Sequence, residues 1–323
     1  MKNIIYIDEN IPQWKGNLHM HSTRSDGELP YRQIIEAYKQ MGYDFCMMSD
    51  HDIYWDSDEL DTQDFLVLSG TESSTAENPN GLWFISRQSS HWMHFCAIKD
   101  PMAAANGQTL KHDEPVPRIV DTGITSWNDQ IDYLIKTGHI VVLNHPRWSR
   151  ISPEHMLALN GCFAMEVWNT ISESLETTGE SEYEWDYCLR NGKRIFAVAA
   201  DDSHYLNEKI PDTGAFINVS APKLDKVSLV DAMKSGNFYA SRGPLIKDMR
   251  VQDGMLRIKC SPAQCVRLVS YEGFAPTYFA QGAPIEAINW KLEPGLKYVR
   301  AEIVDANGLK AWAQPVFLDE LNE

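Results

Sequence analysis

The sequence predicts an α/β domain built like a parallel barrel, followed by a small all-β domain. Short apolar runs of strand length alternate with helical segments over the first 243 residues, and residues able to bind metal sit where those runs end. From about residue 245 the pattern changes to short alternating segments separated by Gly, Pro and Asn. Parallel strands need crossovers and bury both faces, so the first pattern argues for a barrel-like domain over 1–244. Period-two alternation between turn residues argues for a β-sandwich over 245–323.

Residues 17–21 read as the first strand and lead into a loop with Ser25, Asp26 and Gly27. Pro30 opens a helix through Met41, with Ile34, Ile35 and Tyr38 on one face, and Gly42 closes it. Residues 45–48 form the second strand, ending at Ser49-Asp50-His51-Asp52, and residues 65–68 form the third, ending near Glu72. Segments 74–92 and 100–124 are rich in Asn, Gly, Pro and Ser, a length and composition typical of lids or binding loops. They flank a short fourth strand at 95–98. A helix at 127–136 precedes the fifth strand at 140–143, one near 153–159 precedes the sixth at 163–168, and one at 182–190 precedes the seventh at 195–200. That last strand ends at Asp201-Asp202-Ser203-His204, and a helix around 227–234 closes the domain. Strands of the second domain include 255–259, 266–271, 298–304 and 311–317.

A chain of 323 residues can bury a sizeable core and is long enough for one large and one smaller domain. No apolar run approaches the ~18 to 20 residues of a membrane span. The N-terminus lacks the apolar core of a secretory signal, so a cytoplasmic protein is expected. Six scattered cysteines without a CxxC pair favour buried thiols, with a Cys260–Cys265 bridge as the alternative. The formal charge of -16 repels polyphosphate backbones and favours small substrates over long nucleic acid, although bound metal would cancel part of it.

The candidate ligands are His19, His21, Asp26, His51, Glu72, His94, His145, Asp202 and His204. His-x-His on a strand points both rings to one side, where one ion can accept both. Imidazoles and carboxylates without thiolates suit zinc, iron or manganese and are typical of hydrolytic rather than structural sites. Taken singly, His145 before Pro146 and Asp26 before Gly27 read as turn residues. Their recurrence at five strand ends points to a polynuclear metal site. His91 is an alternative to His94, which the following Phe-Cys-Ala-Ile strand favours.

The stretch 18–27, then Ser49-Asp50-His51-Asp52, Glu72, His94, Asn144-His145-Pro146 and Asp202-Ser203-His204 resembles the motifs of the polymerase and histidinol phosphatase (PHP) family. The resemblance covers residues 14 to about 243, and the segment 237–244 is similar to members carrying a C-terminal β-domain. It implies a distorted seven-stranded (β/α)7 barrel holding two or three divalent ions at the strand C-termini. By that resemblance His19, His21, Glu72 and Asp202 hold the first ion, Glu72 bridges to a second held by His94 and His145, and Asp26, His51 and His204 hold the third. The implied activity is hydrolysis of a small phosphomonoester or nucleotide-type ester by a metal-bridging hydroxide.

Arg147 and Arg24, flanking ligands, are candidate phosphate clamps, with Arg242 a weaker third. Asp50, Asp52 and Asp201 adjoin ligands and are candidates for orienting histidines. Trp83, Trp92, Trp148 and Trp168 could wall a base or aryl group, whereas Trp290 and Trp312 read as packing of the β-domain or a sugar site. Alternatives are a carboxyl or carbamate ester hydrolase, an oligonucleotide 5'-3' exonuclease, or a non-catalytic binding module. Arginines facing the metals would favour phosphate, and an aromatic cavity without arginine a neutral ester. The β-domain leaves self-association as a homo-oligomer open.

Overall fold

Alternation of strand and helix sets the layout of the first two thirds of the chain, in a computed structural model that describes residues 1–75, 93–103, 109–119, 124–207, 209–271 and 275–322. In order, these are β1 (Ile4–Ile7), β2 (Gln13–Asn17), α1 (Tyr31–Gln40), β3 (Phe45–Met47), β4 (Leu66–Leu68), β5 (Gly70–Thr75), β6 (Met93–Lys99), α2 (Ile124–Lys136), β7 (His139–Leu143) and α3 (Pro153–Ala158). Then come β8 (Cys162–Asn169), α4 (Thr170–Glu176), α5 (Glu182–Arg190), β9 (Phe196–Ala200), β10 (Phe216–Ser220), α6 (Lys226–Lys234) and β11 (Phe238–Ser241). The remainder is strand: β12 (Ile246–Gln252), β13 (Met255–Ala263), β14 (Cys265–Ser270), β15 (Thr277–Phe279), β16 (Ile285–Lys291), β17 (Tyr298–Val304), β18 (Lys310–Ala313) and β19 (Val316–Phe317).

The structure is mixed α/β with a sheet-rich C-terminal part, but among the described residues the strands do not close into a ring of seven β/α units. They lie in open sheets. One runs β5-β6-β7-β8-β9, antiparallel at β5/β6 and β6/β7 and parallel at β7/β8 and β8/β9. A second contains β10-β2-β3-β4, with β2/β3 and β3/β4 parallel and β10 antiparallel to β2. Antiparallel neighbours need only a return loop where parallel ones need a crossover, which is why helices among the described residues are fewer than a full β/α repeat would carry. The two sheets meet through isolated parallel bridges at Met20/Ser203 and His51/Glu72. Each lies beside candidate ligands.

Local chemistry explains where the sequence reading shifts. The third apolar run stops at Leu68, and Glu72 lies inside the next strand, β5, rather than beyond β4. Gly70 permits this, since a Cβ there would lie 2.5 Å from the Ala97 carbonyl oxygen and 2.6 Å from Met47 Sδ. The strand expected at 17–21 is β2 (Gln13–Asn17), four residues earlier, so His19 and His21 lie past its end.

Hydrogen bonding also runs across the 244/245 division. β1 pairs with β12 in a four-stranded antiparallel sheet, β1-β12-β13-β16, and β11 pairs with β18, so the β10-β2-β3-β4 sheet continues into β18-β17-β14-β15. Buried Arg300 of β17 adds an ion pair to Asp186 of α5 (2.8 and 2.9 Å) and to Glu302 (2.7 Å), satisfying a guanidinium that would otherwise be costly to bury. Lys310 reaches Glu182 of α5 at 2.8 Å.

Apolar faces fill the space between these layers. Trp127, Ile131 and Leu134 of α2 and Trp185 of α5 pack on the outer face of the five-stranded sheet, and Leu229 and Met233 of α6 pack with Phe45, Val142 and Ile217. Trp312 and Trp168 belong to this packing, with rings 6.5 Å apart, and Trp290 packs half-buried against the C-terminal core. All six cysteines are buried and free. Among the described residues, no helix is long and apolar enough to cross a membrane.

His139 opens β7 at the end opposite His145 and is buried, its Nδ1 3.0 Å from Thr137 Oγ1. Burial, reinforced by the Lys99 charge, pushes its pKa down to about 4. From the ordinary value of ~6.5 down to about 4 the unfolded chain binds a proton that the native state refuses. The stability contribution is therefore complete above that ordinary value and lost as pH falls toward 4. Urea unfolding of His139→Gln should show stability falling less steeply over this window than in the wild type, by on the order of 2 kcal/mol. Parallel pH dependences would contradict it.

Candidate metal centre

Residues past the strand ends are held by a polar skeleton before any ligand is considered. Asp50 gathers the loop after β2: its carboxylate accepts from Ser22 N (2.7 Å), Ser22 Oγ (2.8 Å), Ser25 Oγ (2.8 Å) and Trp55 Nε1 (2.6 Å). Gly27 allows the close return, because a Cβ there would fall 2.2 Å from the His21 carbonyl oxygen. That turn brings Asp26 back over the site. His145 (φ 24°) and Asp202 (φ 54°) adopt left-handed backbone, a strain of on the order of 1–3 kcal/mol each that is typical of functional positions. The His145 N–H donates to Glu166 Oε2 at 2.7 Å and the Asp202 N–H to the His19 carbonyl at 2.9 Å, which holds both in place.

Hydrogen bonds to the rings set which nitrogen faces the cavity. His19 Nδ1 donates to Glu166 Oε1 at 2.7 Å, and His204 Nδ1 to the Asp202 carbonyl at 2.7 Å. His21 Nδ1 lies 3.3 Å from Ser25 Oγ, whose own proton goes to Asp50, and His145 Nδ1 lies 3.2 Å from Ser149 Oγ. Each leaves Nε2 with its lone pair directed inward. Asn144 donates to Glu72 Oε1 (2.7 Å), and Asn169 donates to Glu166 Oε2 (2.9 Å) and Asp202 Oδ2 (3.1 Å).

Among the described residues, donor atoms within 4.8 Å of one another form three sets: His19, His21, Glu72 and Asp202; His51, Glu72 and His94; and His21, Asp26, His51 and His204. In the first, Asp202 Oδ1 lies 3.1 Å from His19 Nε2 and 3.0 Å from His21 Nε2, and Glu72 lies 3.1 and 3.2 Å from the same nitrogens. Yet His19 Nε2, His21 Nε2, Glu72 Oε2 and Asp202 Oδ1 are all buried without a hydrogen-bond partner. Ligands ~2.0–2.2 Å from a tetrahedral ion stand about 3.4 Å apart, so unbonded donors at this spacing fit a shared cation. In the second set Glu72 Oε2 lies 3.0 Å from His51 Nδ1 and Oε1 lies 3.1 Å from His94 Nδ1. Asp26, in the third, lies 3.4 Å from His204 Nε2 and 3.6 Å from both His21 and His51. His145 stands outside the three sets, with Nε2 3.3 Å from Glu72 Oε1 and 3.9 Å from Asp202 Oδ2.

Electrostatics follow this geometry. Burial raises the Glu72 carboxyl, but His19, His94 and His51 outweigh it and hold the group well below the carboxylate range. Asp202 is lowered likewise against burial, by His19, His21 and His204. Burial opposes the charged forms of His51 and His204, and their carboxylate neighbours lift both to about 9. Protons and a cation thus compete for the same lone pairs.

Other candidates fall elsewhere. Arg147 pairs with Glu184 (3.3 and 3.4 Å), Arg24 pairs with Asp113 and stacks 3.9 Å over Trp55, and Arg242 stacks 3.5 Å over Trp168. None lines the cavity of about 350 Å³ above the donors. Asp52 holds Ser74 and Arg118, and Asp201 accepts from Asn17, Tyr38, Thr170 and the Ala215 N–H, so neither orients a histidine; burial pushes Asp201 up to about 7. Trp148 lines the cavity. His91, Trp83 and Trp92 lie outside the described residues. Glu166 was missed, although a carboxylate inside the run Phe-Ala-Met-Glu-Val-Trp is a signal: a buried charge needs a partner.

No protein-family profile matches the chain. A 42-residue stretch, 13% of the chain, is 48% identical to the DNA polymerase/3'-5' exonuclease PolX of Bacillus subtilis and corresponds to only 7% of that protein's length. Similar solved structures include a two-domain protein of Bacteroides vulgatus containing a predicted PHP-like metal-dependent phosphoesterase (15% identity, TM-score 0.48, 97% of this chain and 98% of that one). A Bifidobacterium adolescentis protein assigned as a metal-dependent phosphoesterase has 17% identity and TM-score 0.40, over 61% of this chain and 90% of that one. An amidohydrolase of Chromobacterium violaceum, solved with sulfate and no metal, has 16% identity and TM-score 0.41, over 69% and 96%.

Both Glu166 oxygens accept hydrogen bonds, so an amide there would set its NH2 against a donor in either orientation. Glu166→Gln should weaken metal binding by about 10- to 100-fold, read by titration against a competing chelator. Unchanged affinity would remove Glu166 from the support of the site.

Proposed function

We propose that the chain is a PHP-type metal-dependent hydrolase acting on a small-molecule phosphoester. The observation that carries this reading is Glu72, a buried carboxylate shared by two donor sets and opening on a cavity of about 350 Å³. The ordered motifs that resemble the PHP family, and the short stretch matching PolX, support the same assignment. In this reading the open sheets joined at Met20/Ser203 and His51/Glu72 correspond to a distorted seven-stranded barrel, with two or three ions of zinc, iron or manganese at its rim.

Divalent ions held there would activate water and neutralise charge on a phosphoryl oxygen. The chain's own residues fix where that happens. His19 and His21 aim Nε2 inward because Glu166 and Ser25 occupy their other nitrogens, and Asn144 steadies Glu72. As neither Arg24 nor Arg147 lines the cavity, charge recognition of the phosphoryl group falls to the metal sites themselves.

A second reading, a carboxyl or carbamate ester hydrolase, is favoured by one observation: among the described residues, no arginine or lysine lines the cavity. Turnover of the metal-loaded protein on phosphomonoesters, phosphodiesters and neutral aryl esters separates the two. Phosphate release that falls at least ~100-fold in Glu72→Gln is expected; turnover confined to neutral esters would replace the phosphoesterase reading with the second.

A further inference from the structure

The cavity has a wall that metal binding does not account for. Trp148 stands at one side, its ring 4.8 Å from that of His145 and 5.8 Å from that of His94, so it sits directly at the edge of the donor cluster. Ile171 and Leu175 of α4 line the cavity with Tyr205. One helical turn apart at i and i+4, the two aliphatic residues share a face. Leu175 is 56% exposed, a large aliphatic side chain on a helix that also carries Glu173 and Glu176, and core packing does not explain it.

This wall is registered to the ligands. Asn169 caps α4 by accepting from the Ser172 N–H at 3.0 Å, and its Nδ2 donates to Asp202 Oδ2 at 3.1 Å. One side chain therefore sets the height of Ile171 and Leu175 relative to a metal-site carboxylate. Among the described residues, no lysine or arginine lines the cavity beside this wall. Glu173 of the same helix accepts from the Gly179 N–H at 3.1 Å, and neither it nor Glu176 lines the cavity.

We propose that this slot selects the substrate's organic group: a flat, uncharged, apolar group, aryl in the simplest case, seated between Trp148 and the Ile171/Leu175 face while its ester sits over the donor cluster. The proposal rests on the phosphoesterase reading and narrows it to esters with one anionic group and an apolar remainder. Aromatic stacking and aliphatic cover recognise such a group without hydrogen bonds, and with no lysine or arginine among the described lining residues nothing at this wall pairs with a second phosphate.

The test uses the full, metal-loaded chain as wild type, Trp148→Ala and Leu175→Gln; the last changes an exposed position and keeps the test independent of any folding defect in the first. The ratio of kcat/KM for 1-naphthyl phosphate to that for glycerol 2-phosphate is measured, and 1-naphthylphosphonate and methylphosphonate are compared by calorimetry. The expected result is a wild-type preference for the naphthyl compounds that falls in both variants by on the order of 10-fold or more. An aryl preference absent from the wild type, or unchanged in both variants, overturns the slot, as does equal or absent binding of the two phosphonates. If no phosphoester is turned over while 1-naphthylphosphonate still binds more tightly than methylphosphonate, and Leu175→Gln abolishes the difference, the slot stands and the phosphoesterase reading fails.

Discussion

Glu72 is the constraint on which the rest of the site depends. Its carboxylate is fully buried and lies within 3.3 Å of nitrogens of His19, His21, His51, His94 and His145. A buried carboxylate is tolerable only if positive charge compensates it. Strand β5 must therefore deliver Glu72 to a point reached by histidines from the ends of β2, β3 and β7 and from β6. The sheet geometry follows from that need: the bridge between His51 and Glu72 brings two open sheets together where the donors meet.

Around this centre lies a set of polar residues whose task is orientation. Glu166, Ser25, Ser149 and the Asp202 carbonyl occupy the outer nitrogens of four rings, while Asn144 and Asn169 hold the carboxylates. The C-terminal sheet is tied into the same structure. Helix α5 presents Glu182 and Asp186 to Lys310 and Arg300 on one side and Glu184 to Arg147 of the His145 loop on the other. Ion pairs from one helix thus connect the all-β part of the chain to the loop that carries a candidate ligand and Trp148.

Much of the donor set was legible because metal ligands must be specific residue types at strand ends, and both properties survive in one dimension. His19 and His21 announce themselves by spacing, and Asp202 by the apolar run before it, whereas His145, which follows a similar run, stands outside the three sets. What was not legible depends on tertiary partners. Arg147 and Arg24 carry the right charge for a phosphate clamp, but one lies beside Glu184 and the other stacks on Trp55, both outside the cavity lining, placements that sequence order does not encode. Asp201 adjoins a ligand yet turns away to serve Tyr38, Thr170 and the Ala215 backbone. Strand β1 and the antiparallel return of β10 are set by pairing with strands far along the chain, which no local periodicity encodes.

The central claim is that Glu72 is shared between cations. Crystals grown with zinc or manganese and measured at the metal absorption edge test it most directly, since anomalous peaks locate the ions without assuming any reaction. The account predicts at least two peaks in the cavity, one between Glu72, Asp202 and the His19/His21 pair and another on the His51/His94 side of the same carboxylate. A single peak not touching Glu72, or ions bound only outside the cavity, would contradict it.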